Sequence, residues 1–187
     1  MSVAVSGALR LERAFARART ERRLAVAVYL TVGYPDRAST GSLLRAALDG
    51  GADVLELGVP FSDPLADGTT VQRASEAALR NGVTLTDCLS EAAAVVRDRE
   101  APVLFMGYTN PFMQYGFERF AIAGAHAGAA GVIVPDMPAE ESRELDFALG
   151  PAGLLRIDLY APTTRTSASR SCCRAPTASC TACRSPV

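Results

Sequence analysis

A chain of 187 residues, 49% hydrophobic and 21% charged, with a formal net charge of -1, holds enough apolar material for one sizeable core and calls for no second domain. The near-neutral balance argues against nucleic acid as the main partner, which would favour a basic face or stripe. The amino-terminal stretch has only a short, broken apolar run before dense charge, so it reads as neither a signal peptide nor a membrane span, and a cytoplasmic location is expected.

Leu9 to Glu21 sets Leu9, Leu11, Ala14, Phe15 and Ala18 at helical spacing with arginines between them, a helix suited to capping the bottom of a barrel. Leu24 to Thr31 is a continuous apolar run ended by Gly33, Pro35 and Asp36, a first strand with its loop. Thr40 to Asp49 predicts a helix stopped by Gly50 and Gly51. A second strand begins at Val54, and helices are predicted over Thr70 to Leu79 and Thr86 to Arg99, broken by Asn81 and Gly82. Pro102 to Met106 reads as the third strand, with its helix inside Phe112 to Ala127. Gly131 to Val134 is the fourth strand, Ala139 to Leu149 its helix, and Leu154 to Tyr160 the fifth strand. Strands alternating with helices of this length imply βαβ units, a parallel sheet and right-handed crossovers. Five strands also suit a flavodoxin-like open sheet, although no G-x-G-x-x-G or P-loop string supports a nucleotide role for one.

The second strand is the stretch around which the chain is organised. Val54 to Val59 is apolar or Gly except for Glu56, and alternation puts Val54, Glu56 and Gly58 on one face and Leu55, Leu57 and Val59 on the other. The leucines can pack beneath helices while Glu56 faces a barrel interior or cleft. An isolated buried carboxylate costs several kcal/mol or takes up a proton, so it is either paired or functional. The loop that follows holds Pro60, Ser62, Asp63, Pro64, Asp67 and Gly68, with the prolines stiffening the path and Gly68 permitting unusual backbone angles. Asp63 and Asp67 have a plainer alternative as turn and N-cap residues.

The string L-E-L-G-V-P-F-S-D-P-L-A-D-G, Leu55 to Gly68, resembles the signature of the tryptophan synthase alpha chain family. Other segments agree in order: Y-L-T-V-G-Y-P-D at Tyr29 to Asp36, M-G-Y-T-N-P at Met106 to Pro111, G-V-I-V-P-D-M-P-A-E-E-S at Gly131 to Ser142, and A-P-T-T at Ala161 to Thr164. The resemblance runs from about residue 8 to residue 164. It implies an α/β fold of the (β/α)8 TIM-barrel type. That fold typically takes about 250 residues, so the expectation is an incomplete barrel of about strands 1 to 5 over residues 1-164.

Residues 165-187 depart from this pattern: they hold four of the five cysteines, four arginines, no acid and no apolar periodicity. A disordered tail and a metal site from Cys172, Cys173, Cys180 and Cys183 are the direct readings, the second weakened by the adjacency of Cys172 and Cys173. A frame change explains more. All 19 basic residues are Arg, which with the heavy Ala content suggests GC-rich coding. Back-translation with GC-rich codons and one restored C before the Arg165 codon reads T-T-P-D-E-R-L-A-E-L-L-P-R-A-D-G-F-V-Y-C-L-S-V-T-G, which is similar to the family's continuation. The tail is therefore expected to be irregular and out of frame, and strands six to eight not encoded.

The resemblance implies a lyase of tryptophan biosynthesis that cleaves indole-3-glycerol phosphate to indole and glyceraldehyde 3-phosphate. Glu56 would be the general acid/base at indole C3 and Asp67 the acceptor of the indole N-H, its looser and wetter loop keeping it ionised. A carboxylate in an apolar barrel mouth has a raised pKa, which suits Glu56 to holding and returning a proton. Tyr29, Tyr108 and Asp136 are substrate-binding candidates, with core, rim and turn roles as their respective alternatives. His126 reads as a helix-end residue. Pro60, Ser62, Asp63 and Pro64 match the family's contact with the beta chain in an alpha2-beta2 heterotetramer, where PLP belongs to the beta chain and this chain holds no cofactor or metal. In such barrels phosphate binds at the loops after strands seven and eight, so this chain is expected to be inactive by itself. The alternatives are a non-catalytic relic that binds the beta chain and another sugar-phosphate barrel enzyme.

Overall fold

Alternation along the second strand sets the layers. In the computed structural model, which describes residues 6-160 and 178-182, β2 (Val54–Gly58) buries Leu55 and Leu57 completely in the cluster between sheet and helices. Val54 falls instead in a separate interior cluster with Leu11, Leu104, Ala130, Ile133 and Ile157. The same alternation recurs in β1 (Ala27–Thr31), where Val28 and Leu30 pack toward the helices, and in β3 (Val103–Met106), where Phe105 points outward and Leu104 inward.

With β4 (Gly131–Ile133), β5 (Leu155–Tyr160) and β6 (Ala178–Ala182) the strands form one parallel sheet in the order β1-β2-β3-β4-β5-β6. Strictly sequential order excludes the flavodoxin-like alternative, in which the first strand lies between the second and third. It is the order of a singly wound barrel wall. Helices α2 (Thr40–Asp49), α3 (Thr69–Arg80), α4 (Leu85–Arg99), α5 (Thr109–Tyr115), α6 (Phe117–His126) and α7 (Arg143–Ala152) occupy the connections.

Three sequence expectations are corrected. The helix expected within 112-127 is two helices, because Gly116 sits at φ 91°, a left-handed conformation that favours glycine and stops α5 before α6 begins. The helix expected from Ala139 starts at Arg143, since Pro138 to Ser142 is spent on turns held by Glu141 N to Pro138 O and Ser142 N to Ala139 O. The third correction concerns the tail: Ala178–Ala182 is not irregular but pairs in parallel with β5, Arg156 opposite Ala178 through Tyr160 opposite Ala182. An edge strand offers unpaired N-H and C=O groups whatever the side chains of the segment that pairs with it. The restored frame places G-F-V-Y-C at the same five positions. Ala161 to Thr164, Cys172, Cys173 and Cys183 lie outside the described residues.

At the amino-terminal end, α1 (Gly7–Thr20) crosses the bottom of the sheet with Leu11, Ala14 and Ala18 buried, and Ser6 caps it by accepting from Leu9 N at 3.3 Å. The fully buried Asp53 carboxylate ties it down. Asp53 accepts from Arg17 Nη2 at 2.8 Å, from Arg23 Nη1 and Nη2 at 2.5 and 2.8 Å, and from Val26 N at 3.0 Å. A second ionic group is buried on the helix side of β5, where Arg156 Nε donates to Asp146 Oδ1 of α7 at 2.6 Å and Arg156 also pairs with Asp158. Among the described residues, no helix is long and apolar enough to cross a membrane.

Candidate active site

Glu56 faces the interior as alternation requires. It stands in register between Tyr29 of β1 and Leu104 of β3. No cation or donor compensates its charge among the described residues, and burial alone raises its pKa above the ordinary value of 4.5. Such a carboxyl group can retain a proton closer to neutrality than an exposed one.

Tyr29 is brought to Glu56 by register and by the glycine two residues further along β2. A Cβ on Gly58 would fall 2.2 Å from the Tyr29 hydroxyl oxygen, so only glycine lets the phenol lie across β2. Thr31, buried on the same strand face, donates to Tyr29 Oη at 3.2 Å. Burial raises the Tyr29 pKa, and the negative fields of both Asp67 and Glu56 push the same way.

The β2–α3 loop carries Asp67 over this mouth. Leu65 N bonds Asp63 O at 2.9 Å, Asp67 N bonds Pro64 O at 3.1 Å, and Gln72 Nε2 reaches back from α3 to Asp67 O at 2.9 Å. The N-cap of α3 is Gly68 with no side-chain capping bond, so neither Asp63 nor Asp67 serves as the cap. Tyr108 fixes the loop from the end of β3: its hydroxyl accepts from Ala66 N at 2.9 Å and bonds the Asp67 carboxylate. Phe61 stacks on its ring at a centroid distance of 5.3 Å.

Asp67 differs from expectation in its electrostatics. Burial raises its pKa above 3.8, opposed by the Tyr108 hydrogen bond. The loop is not a wet setting that keeps the carboxylate ionised without help. The hydroxyl of Tyr108 does part of that work, and both carboxylates of the site are desolvated.

Asp136 is exposed at the rim, where its Oδ1 accepts from Thr109 N at 2.9 Å and Thr109 Oγ1 at 3.0 Å. It clasps the β4–α7 loop to the first turn of α5. Pro60 and Pro64 are buried, whereas Ser62 and Asp63 are exposed and bonded to each other. Leu65, 91% exposed beside them, was not singled out by the sequence reading. Phe61, Thr31, Gln72 and Thr109 were also passed over, although Thr31 shares the interior parity of Tyr29 and was legible by alternation. His126 ends α6, as expected.

A sequence profile described as tryptophan synthase alpha chain matches residues 15–178. The chain is 53% identical over 157 residues to the tryptophan synthase alpha chain of Roseiflexus castenholzii, covering 83% of this chain and 60% of the relative. Against that of Chloroflexus aurantiacus it is 49% identical over 156 residues, covering 83% and 59%. Tryptophan synthase subunit alpha from Legionella pneumophila has a similar structure, with a TM-score of 0.83 at 38% identity, covering 86% of this chain and 62% of that one. A Mycobacterium tuberculosis tryptophan synthase structure gives 0.83 at 37% identity, covering 87% and 63%. The chain thus spans about 60% of the length of the curated relatives that it matches.

Proposed function

Because the chain belongs to the tryptophan synthase alpha chain family, we propose that its site carries the acid–base half of a carbon–carbon lyase acting on indole-3-glycerol phosphate. The observation that supports this most is Glu56: a desolvated interior carboxylate with no compensating cation among the described residues, facing a mouth over which Asp67 is held. Glu56 in its acid form gives a proton to indole C3. The ring becomes an indolenine cation, with Asp67 accepting the N-H and balancing the positive charge. The bond from C3 to the side chain then breaks, its electron pair returning to the ring. The side-chain hydroxyl yields its proton to the Glu56 carboxylate as the aldehyde forms, which restores the acid for the next turnover.

Tyr29 and Tyr108 line the indole pocket in this reading, and Asp136 holds the rim on which the substrate rests. Pro60, Ser62, Asp63 and Pro64, with the exposed Leu65, form the contact for a tryptophan synthase beta chain in the cytoplasm. PLP belongs to that partner, and the chemistry assigned to this chain requires only carboxylates. Residues 1-164 are the in-frame barrel portion, and 165-187 are read out of frame even though Ala178–Ala182 pairs with β5. In barrels of this kind the phosphate grip comes from the loops after strands seven and eight.

The test is indole release from indole-3-glycerol phosphate by the chain with its frame restored at residue 165 and continued. Turnover is expected, and its absence from a folded chain would contradict the reading. Asp67→Asn should lower the rate by about a hundredfold or more, since it removes the charge that faces the ring cation. A harmless Asp67→Asn would return that residue to a purely architectural role.

A further inference from the structure

We propose that the opposite, amino-terminal end of the sheet carries a second site, one for a compact polyanion of the di- or triphosphate class. It is the arginine-lined cleft between α1 and the turns that precede β2 and β3. This proposal is independent of the lyase reading, whose site opens at the carboxyl ends of the strands, so either can fail alone.

The cleft has a volume of about 540 Å³, in the range of small-molecule sites. Arg10, Arg13 and Arg17 line it from one face of α1, and Arg99 lines it from the last turn of α4. Against these four cations stand two lining acids, Asp53 and Glu100, and a third, Asp49, paired with Arg99. The Asp53 charge is further divided, because its carboxylate also takes two bonds from Arg23 and one from Val26 N. Positive charge therefore dominates a concave surface, where low-dielectric walls concentrate its field.

Three of the four guanidinium groups are held in place before any ligand arrives. Arg10 donates to the Gly128 carbonyl, Arg17 Nη2 to Asp53 Oδ1 at 2.8 Å, and Arg99 Nη2 lies 3.0 Å from Asp49 Oδ1. Each guanidinium presents five N-H donors in a planar fork, and the contacts of Arg17 and Arg99 use only part of that set. Arg13 is exposed and enters no ion pair or hydrogen bond among the described residues. Since positions 10, 13 and 17 follow one helix face at successive turns, a linear anion laid along α1 meets each fork in sequence. Bidentate pairing of guanidinium with phosphate oxygens suits that geometry better than a single carboxylate does. Among the described residues no aromatic ring lines the cleft, so a nucleobase has no stacking platform there and recognition rests on the phosphate chain.

Calorimetric titration of the 187-residue chain with tripolyphosphate, at fixed low ionic strength, tests this. Saturable 1:1 binding is expected. Arg13→Gln should weaken it by about fivefold or more, as expected for one lost charge-assisted pair. Arg19→Gln, on the same helix but lining a different groove with Phe15 and Leu24, should leave it unchanged. Both positions are exposed, and circular dichroism will show that each variant keeps its helices. No saturable binding, or equal weakening by both substitutions, would overturn the site in favour of a diffuse field. Equally tight binding of hexaglutamate would overturn its preference for phosphate.

Discussion

At the scale of single residues, Glu56 works against the fold that holds it. Its folded pKa lies above the unfolded value, so the native state binds more protons between those two values, and stability falls as pH rises through that window. In the frame-restored chain, Glu56→Gln should therefore raise the thermal midpoint at about pH 8 and leave it nearly unchanged at about pH 4, where the carboxyl group is already protonated. Equal effects at both pH values would show that the burial of Glu56 costs nothing in charge. Tyr108 supplies a second prediction. Tyr108→Phe removes the hydroxyl that accepts from Ala66 N and bonds Asp67, at a cost of about 1 kcal/mol. Freed of that opposing bond, the Asp67 pKa should rise further, and the Ala66 amide should exchange faster with solvent. Unchanged exchange at Ala66 would mean that the proline-stiffened loop needs no anchor.

At the scale of elements, the strands were legible because their apolar runs alternate in step, and Thr40 to Asp49 was delimited in full by the glycines behind it. Less legible were features decided by contacts distant in sequence. Asp136 reads as a turn residue until the rim brings Thr109 beneath it. Nothing in the local pattern tells Asp53 from any other strand-entry aspartate, yet two arginines and a backbone amide converge on it. These partners hold its pKa well below the carboxylate range, with Arg23 the largest cause. A depressed folded pKa means stability that is present above the unfolded value near 3.8 and lost as pH falls below it. Asp53→Asn should lower the urea midpoint by the equivalent of about 2 kcal/mol at neutral pH, with the deficit shrinking in acid. A constant deficit across pH would assign the effect to packing. Arg156 and Asp158 interrupt the apolar register of β5 and are legible only as anomalies. Arg156→Ala would leave Asp146 and Asp158 facing each other without a cation and should cost about 3 kcal/mol or more. A smaller loss would show that water reaches the pair.

At the scale of the whole molecule, six strands in sequential order leave β1 paired on one side only among the described residues. Beside that edge, Leu24 is 88% exposed, and Val26 and Phe15 are nearly half exposed. Expressed as these 187 residues, the polypeptide should therefore associate and bind dyes that report apolar surface. A sharp, monomeric unfolding transition would contradict that expectation. The sixth strand was illegible because residues 178-182 carry no strand pattern; pairing with β5 decides their conformation. What the sequence does carry is the placement of an interior carboxylate opposite a helix-facing leucine pair, and the proposed chemistry depends on it. The most direct test is steady-state indole release from indole-3-glycerol phosphate by the frame-restored chain and its Glu56→Gln variant, with circular dichroism confirming that both fold. The account predicts turnover by the parent and a loss of about a thousandfold or more in the variant, because an amide matches the carboxyl group in shape but cannot shuttle a proton. A variant within about tenfold of the parent, or roughly 1.4 kcal/mol of barrier, would contradict it.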